Sequence, residues 1–165
     1  MTFRDLKQKT CFGEIPMAWA GSTSTMDYLN LGDALSPVMV ALLTGQTPRR
    51  VPTRCEATRL AAVGTIGHGF EFGETWFWGT GCSDYINPGA PADERLPFKV
   101  PDKSKFVVTA TRGPISEELL AGADGARPGV YGDPVWLLPR FYRPEIKKKW
   151  KLGVILHLSE LADRS

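Results

Sequence analysis

Residues 105–120 read KFVVTATRGPISEELL: a nearly continuous apolar run, a Gly-Pro break, then apolar positions at helical spacing. Phe106, Val107, Val108 and Ala110 predict a strand covered on both faces. Gly113 and Pro114 end it, and Pro114 suits a first helical turn, where a missing N–H does no harm. Ile115, Leu119 and Leu120 are expected on one helical face, with Glu117 and Glu118 turned to solvent near the positive helix N-terminus. This strand, turn and helix form half of a βαβ unit. Arg112 then sits at the carboxyl end of a strand, where it suits a phosphate or carboxylate. Its plainer alternatives are capping a carbonyl or pairing with Glu117 or Glu118.

The same rhythm runs along the rest of the chain. Residues 1–14 carry no period and are expected to form an N-terminal arm. IPMAWAG, from Ile15, predicts a first strand ending in the turn-forming run GSTSTMDY. In NLGDALSPVMVALLTG, residues Leu35, Val38, Met39, Leu42 and Leu43 recur at helical spacing, and Gly45 supplies the stop. Either Asp33 or the pair Ser36–Pro37 can start this helix. Residues 46–57, polar and proline-bearing, read as a connection. RLAAVGTIGHG and TWFWGTGCSD each predict a strand running into a glycine-rich turn. Residues 86–104, with four prolines, read as a long surface loop. PVWLLPRFY predicts an apolar turn or brief helix, and KLGVILHL a last strand.

Each strand therefore ends in a small, polar or glycine-rich corner: 30–33, 64–67, 79–82, 111–114, 132–134 and His157. If the strands are parallel, these corners share one edge of the sheet. The expected fold is α/β, a doubly wound and mainly parallel Rossmann-like domain over 15–158, with 159–165 beginning a linker.

Composition narrows the class. At 165 residues the chain is long enough for one domain with its own core. A net charge of +2 gives no argument for nucleic acid. The one basic run, KKKWK at 147–151, reads as a solvated face or a peripheral contact with an anionic membrane surface. Cys11, Cys55 and Cys82 are far apart and outside any CxxC pair, which points to reduced thiols in a cytoplasmic protein rather than to a disulfide framework or zinc site. No apolar run reaches the roughly 20 residues of a membrane span.

GTGCSD and GTIGHG do not complete GxGxxG, and GxxxxGK[ST], HExxH and GxSxG are missing. With His68 and His157 as the two histidines, a metal site would lean on carboxylates. Asp33 also reads as a helix cap and Asp133–Pro134 as a turn start. Trp76, Trp78 and Trp136 are expected in the core rather than on a sugar-stacking platform.

Taken in order, NLGDALSP, FWGTGCSD, TRGPISEELL, YGDPVWLLP and LGVILH resemble the ordered motifs of the polysaccharide pyruvyl transferases, roughly N[FL]GD, WG[ST]G, RGP, GDP and PH. The likeness covers about residues 15–158; Leu156 stands where the family has proline. It implies a glycosyltransferase-B-like architecture whose second Rossmann-like domain would follow this one. The implied activity is transfer of a pyruvyl group from phosphoenolpyruvate, with no further cofactor, to a glycan or lipid-linked oligosaccharide. Asp33 and His157 become the candidate proton-transfer groups and Arg112 the anion ligand. Asn30, Gly32, Gly79, Gly81, Gly132 and Asp133 would shape the cleft. Two rival expectations remain: half of a nucleotide-sugar-dependent glycosyltransferase, and a non-catalytic half that self-associates or needs a second chain through exposed apolar surface.

Overall fold

The computed structural model describes residues 13–21 and 30–154. Five strands, β1 (Glu14–Met17), β2 (Thr47–Arg50), β3 (Arg59–Ala61), β4 (Gly73–Thr80) and β5 (Ser104–Thr111), form one sheet in the order β2-β1-β3-β4-β5. Every pairing between them is parallel. Two α-helices are present among the described residues, α1 (Leu31–Thr44) after β1 and α2 (Pro114–Ala121) after β5. Short 3-10 turns occupy Gly67–Gly69, Ala92–Glu94 and Pro134–Arg140.

Alternation along the strands sorts the core onto two faces. Ile15, Met17, Leu60, Ala62 and Trp76 pack with Val40 of α1. Ala61, Phe77 and Val108 pack with Leu120 of α2, together with Phe70 and Phe98. Each helix thus covers its own face of the sheet, giving an α/β fold wound on both sides. The chain leaves β1 towards β2 on one side and continues from β3 to β5 on the other. The neighbouring carboxyl ends of β1 and β3 therefore form the switch point where such sheets open a crevice.

Several expectations need correction. Residues 46–57 are not merely a connection, because Thr47–Arg50 pairs with Glu14–Met17 as an edge strand. Neither Asp33 nor Ser36 caps α1. Asn30 does, its Oδ1 accepting from the N–H of Gly32 at 3.0 Å and of Asp33 at 3.5 Å. Ser36 lies buried inside the helix and accepts from the Val63 N–H at 3.0 Å. That bond docks α1 on the end of β3 by the stripe Ser36, Met39 and Val40, leaving Val38 and Leu42 exposed. In α2 Leu120 is buried, Leu119 half-buried and Glu118 exposed as expected, but Ile115 is exposed, whereas Glu117 is buried and accepts from the Gly129 N–H (2.7 Å) and the Tyr131 hydroxyl (2.8 Å). Trp136 is 84% exposed rather than in the core. Lys151–Val154, the start of the expected last strand, are exposed and outside any strand.

The stretch 86–103 is a long loop, as expected, holding a 3-10 turn at Ala92–Glu94 and a single bridge from Pro97 to Tyr85; Ser104 already begins β5. Cys55 and Cys82 are free thiols. No helix among the described residues is long and apolar enough to cross a membrane. The N-terminal arm up to residue 12, Cys11, Leu156, His157 and the linker 159–165 lie outside the described residues.

Candidate functional site

The corners meet at the carboxyl edge of the sheet. The Arg112 N–H donates to the Thr80 carbonyl at 3.2 Å, carrying the β4–β5 pairing one step past the strand ends. Beyond β5 the chain returns: Thr111 N–H donates to Val130 O (3.0 Å) and Gly132 N–H to Thr111 O (2.9 Å). This short parallel bridge at Tyr131 brings Gly132 and Asp133 against β5. The two bonds to Glu117 tie the same returning loop to α2.

Arg112 is the centre of the cluster. Its Nη1 donates to Thr65 Oγ1 at 2.7 Å and its Nη2 to Asp133 Oδ2 at 3.0 Å. Asp133 is the more enclosed partner, its side chain 20% accessible against 42% for Arg112. The other Asp133 oxygen, Oδ1, accepts from the Val135 N–H and caps the 3-10 turn that follows. A guanidinium carries five N–H donors, so two are bonded to side chains and the rest stay available on a partly exposed group. The carboxylate partner of Arg112 is thus Asp133, not Glu117 or Glu118.

Asp33 lies in the first turn of α1, its Oδ1 against Gly64 at the end of β3. A Cβ built at Gly64 would come within 2.5 Å of that oxygen, and Gly64 also takes a φ of 110°. Only glycine lets the Asp33 carboxylate sit there. Burial raises its pKa above the ordinary aspartate value, and the Arg112 charge partly offsets this. Pro37 has no N–H to return to the Asp33 carbonyl four residues earlier, so that oxygen lacks its usual helical donor.

Gly79 is required twice over. Its φ is 76°, and a Cβ would lie 2.3 Å from Pro134 Cδ and 2.8 Å from Gly132 O. The register shifts here on both sides of Trp78, a bulge that makes room for the crossing segment. Gly81 donates its N–H to Gly64 O and accepts from the Gly67 N–H, both at 2.9 Å, locking the two glycine-rich corners together. Ser116 Oγ accepts from the Cys82 N–H at 3.0 Å, joining the β4 corner to α2. Burial pushes the Cys82 thiol up to about 12.

The structure thus gathers Asp33, Gly79, Gly81, Arg112, Gly132 and Asp133 on one edge, with Asn30 and Gly32 at the start of the helix that presents Asp33. Asn30 spends its side-chain oxygen on the cap. Thr65, inside one of the small, polar corners, is the site residue the sequence reading misses; a hydroxyl at a strand end is the signal that marks it. His68 lines a different cleft of about 330 Å³ with Arg54, Glu71, Lys99 and Asp102. Among the described residues no group of three or more His, Cys, Asp or Glu is arranged to hold a metal ion. Beside Asp133, the residues Val135, Trp136 and Pro139 form an open groove of about 370 Å³.

The arrangement can bind an anion at Arg112 and accept a proton at Asp33. The chain matches no family model, no curated protein and no solved structure.

Proposed function

We propose that this edge is the donor side of a pyruvyl transferase acting on phosphoenolpyruvate and a saccharide diol, within a Rossmann-like, glycosyltransferase-B-like enzyme. The observation that carries the reading is Arg112 held between Thr65 and Asp133 with the Asp33 carboxylate close enough to feel its charge. In the reaction one sugar hydroxyl adds to C2 of the enol as C3 gains a proton. The second hydroxyl then displaces phosphate from C2, giving a cyclic ketal and inorganic phosphate. Asp33, with its raised pKa, is the base that takes the first hydroxyl's proton, and the second hydroxyl's proton leaves with the departing phosphate. Arg112 holds the donor's carboxylate or phosphate with charge-assisted bonds. Asp133 and Thr65 fix the guanidinium so that it need not reorganise as charge develops. His157, the second proton-transfer candidate of the motif resemblance, is left for the proton to C3 once Asp33 is taken as the base.

Phosphate release from phosphoenolpyruvate in the presence of diol-bearing glycans tests the reading, alongside a thermal-shift panel of phosphoenolpyruvate against nucleotide sugars. Stabilisation by phosphoenolpyruvate that Arg112→Ala abolishes is the expected result. Stabilisation by nucleotide sugars alone would transfer the site to the glycosyltransferase reading.

A further inference from the structure

A second cleft opens on the same edge of the sheet, at the carboxyl ends of β1 and β2. It is about 480 Å³ in volume and is lined by Ala18, Trp19, Arg50, Val51, Pro52 and Thr53. The two arginines that close β2 are used differently. Arg49 pairs with Glu14 through Nε at 3.1 Å. Arg50 meets no carboxylate among the described residues; its guanidinium lies over the Trp19 ring, 5.6 Å from the centroid. Stacking on an indole holds a guanidinium in place while leaving its in-plane N–H donors open. The walls, Ala18 and Val51, are buried and apolar. A cation fixed above an aromatic ring in a mostly apolar cleft fits a ligand with an anionic group on a compact body. β3 lies beside β1, about 4.8 Å away, and the Arg112 guanidinium reaches back to Thr65 in the corner after β3, so a ligand can span from this cleft to the Arg112 site along the edge.

We infer that the Trp19–Arg50 cleft is the acceptor subsite, taking an anionic saccharide whose phosphate ester or carboxylate binds Arg50 and whose ring packs beside Trp19. The assignment to an acceptor rests on the pyruvyl-transfer reading; the binding of an anionic sugar does not.

Isothermal titration of the 165-residue chain with a hexose 1-phosphate, a hexuronate, the neutral hexose and inorganic phosphate tests it. The expected result is binding of one or both anionic sugars, weakened about tenfold by Arg50→Gln, the loss of one charge-assisted contact. Arg49→Gln is expected to leave that affinity unchanged. Trp19→Ala should weaken the sugar anion more than inorganic phosphate. The hexose 1-phosphate and hexuronate arms separate a phosphate from a carboxylate as the recognised group. Equal affinity for inorganic phosphate and sugar phosphate, or indifference to Arg50→Gln in a chain with unchanged circular dichroism, would overturn the subsite. If the Arg50 dependence holds while phosphoenolpyruvate fails to bind, the subsite stands and the pyruvyl reading falls.

Discussion

At the amino edge of the sheet Arg59 is fully buried, while at the carboxyl edge Arg112 stays partly exposed. Arg59 donates to five main-chain carbonyls, those of Thr53, Cys55, Ala57, Glu71 and Phe72, at 2.6–3.0 Å. Its ring neighbour is Phe70, 5.3 Å from the guanidinium carbon. These bonds tie the connection before β3 to the turn before β4, where Phe72 takes a φ of 64°. Arg112 instead meets one hydroxyl and one carboxylate. The same side chain is thus a structural clamp where carbonyls surround it and a candidate ligand group where its donors are left over. Charge does not separate the two; burial and the identity of the acceptors do.

The contrast can be broken at four points. Arg59→Met keeps the volume but strips five carbonyls of their donor, and hydrogen bonds to a charged group contribute about 1.5–3 kcal/mol each. A loss of about 4 kcal/mol or more is expected in urea denaturation, a large share of a domain's stability; a loss below about 1 kcal/mol would refute the clamp. Gly79→Ala combines left-handed backbone strain with overlap on Pro134, for about 2–4 kcal/mol by the same measurement. Arg112→Ala removes a partly exposed ion pair, so its stability cost should stay below about 1 kcal/mol. Calorimetric affinity for phosphoenolpyruvate should nevertheless fall at least tenfold.

The smallest effect concerns Asp33. Because burial raises its folded-state pKa, ionising it costs stability above the unfolded value of about 3.9. That cost is complete once pH passes the folded pKa and disappears below the unfolded one. Asp33→Asn should therefore be more stable than wild type at pH 7, by a few tenths of a kcal/mol after allowing for solvent screening. Parallel urea titrations at pH 7 and pH 3 should show the gain only at the higher pH. Wild-type stability above that of Asp33→Asn at pH 7 would contradict the assignment.

Much of this edge was legible because the core strands announce themselves by apolar runs, and β4 and β5 stop at Thr80 and Thr111 beside glycines. β2 was not, since Thr47–Arg50 is an edge strand with three of four residues exposed. With three of its four residues exposed, β2 has no apolar face to write into the sequence, unlike β5 at the other end of the sheet, and Pro48 is tolerated on such an edge. The exchange of Ile115 and Glu117 was hidden for another reason. Glu117 is buried to satisfy an amide and a hydroxyl on a loop twelve or more residues away, a tertiary demand that helical periodicity cannot express. Asn30 outcompeted Asp33 and Ser36 as the cap, and three suitable caps within seven residues cannot be ranked by propensity alone. The site residues were nominated one corner at a time; that Arg112 chooses Asp133 depends on the loop Glu117 holds.

Cys82 gives this edge an internal clock. Largely buried and held protonated near neutrality, in a residue whose N–H bonds Ser116 of α2, the Cys82 sulfur meets a thiol reagent faster whenever the joint between the β4 corner and α2 parts. The half-buried Cys55, at the opposite edge, supplies a reference rate. The ratio of the two modification rates reports how often the floor beneath Arg112 comes open, a local free energy read without denaturant and without any engineered label.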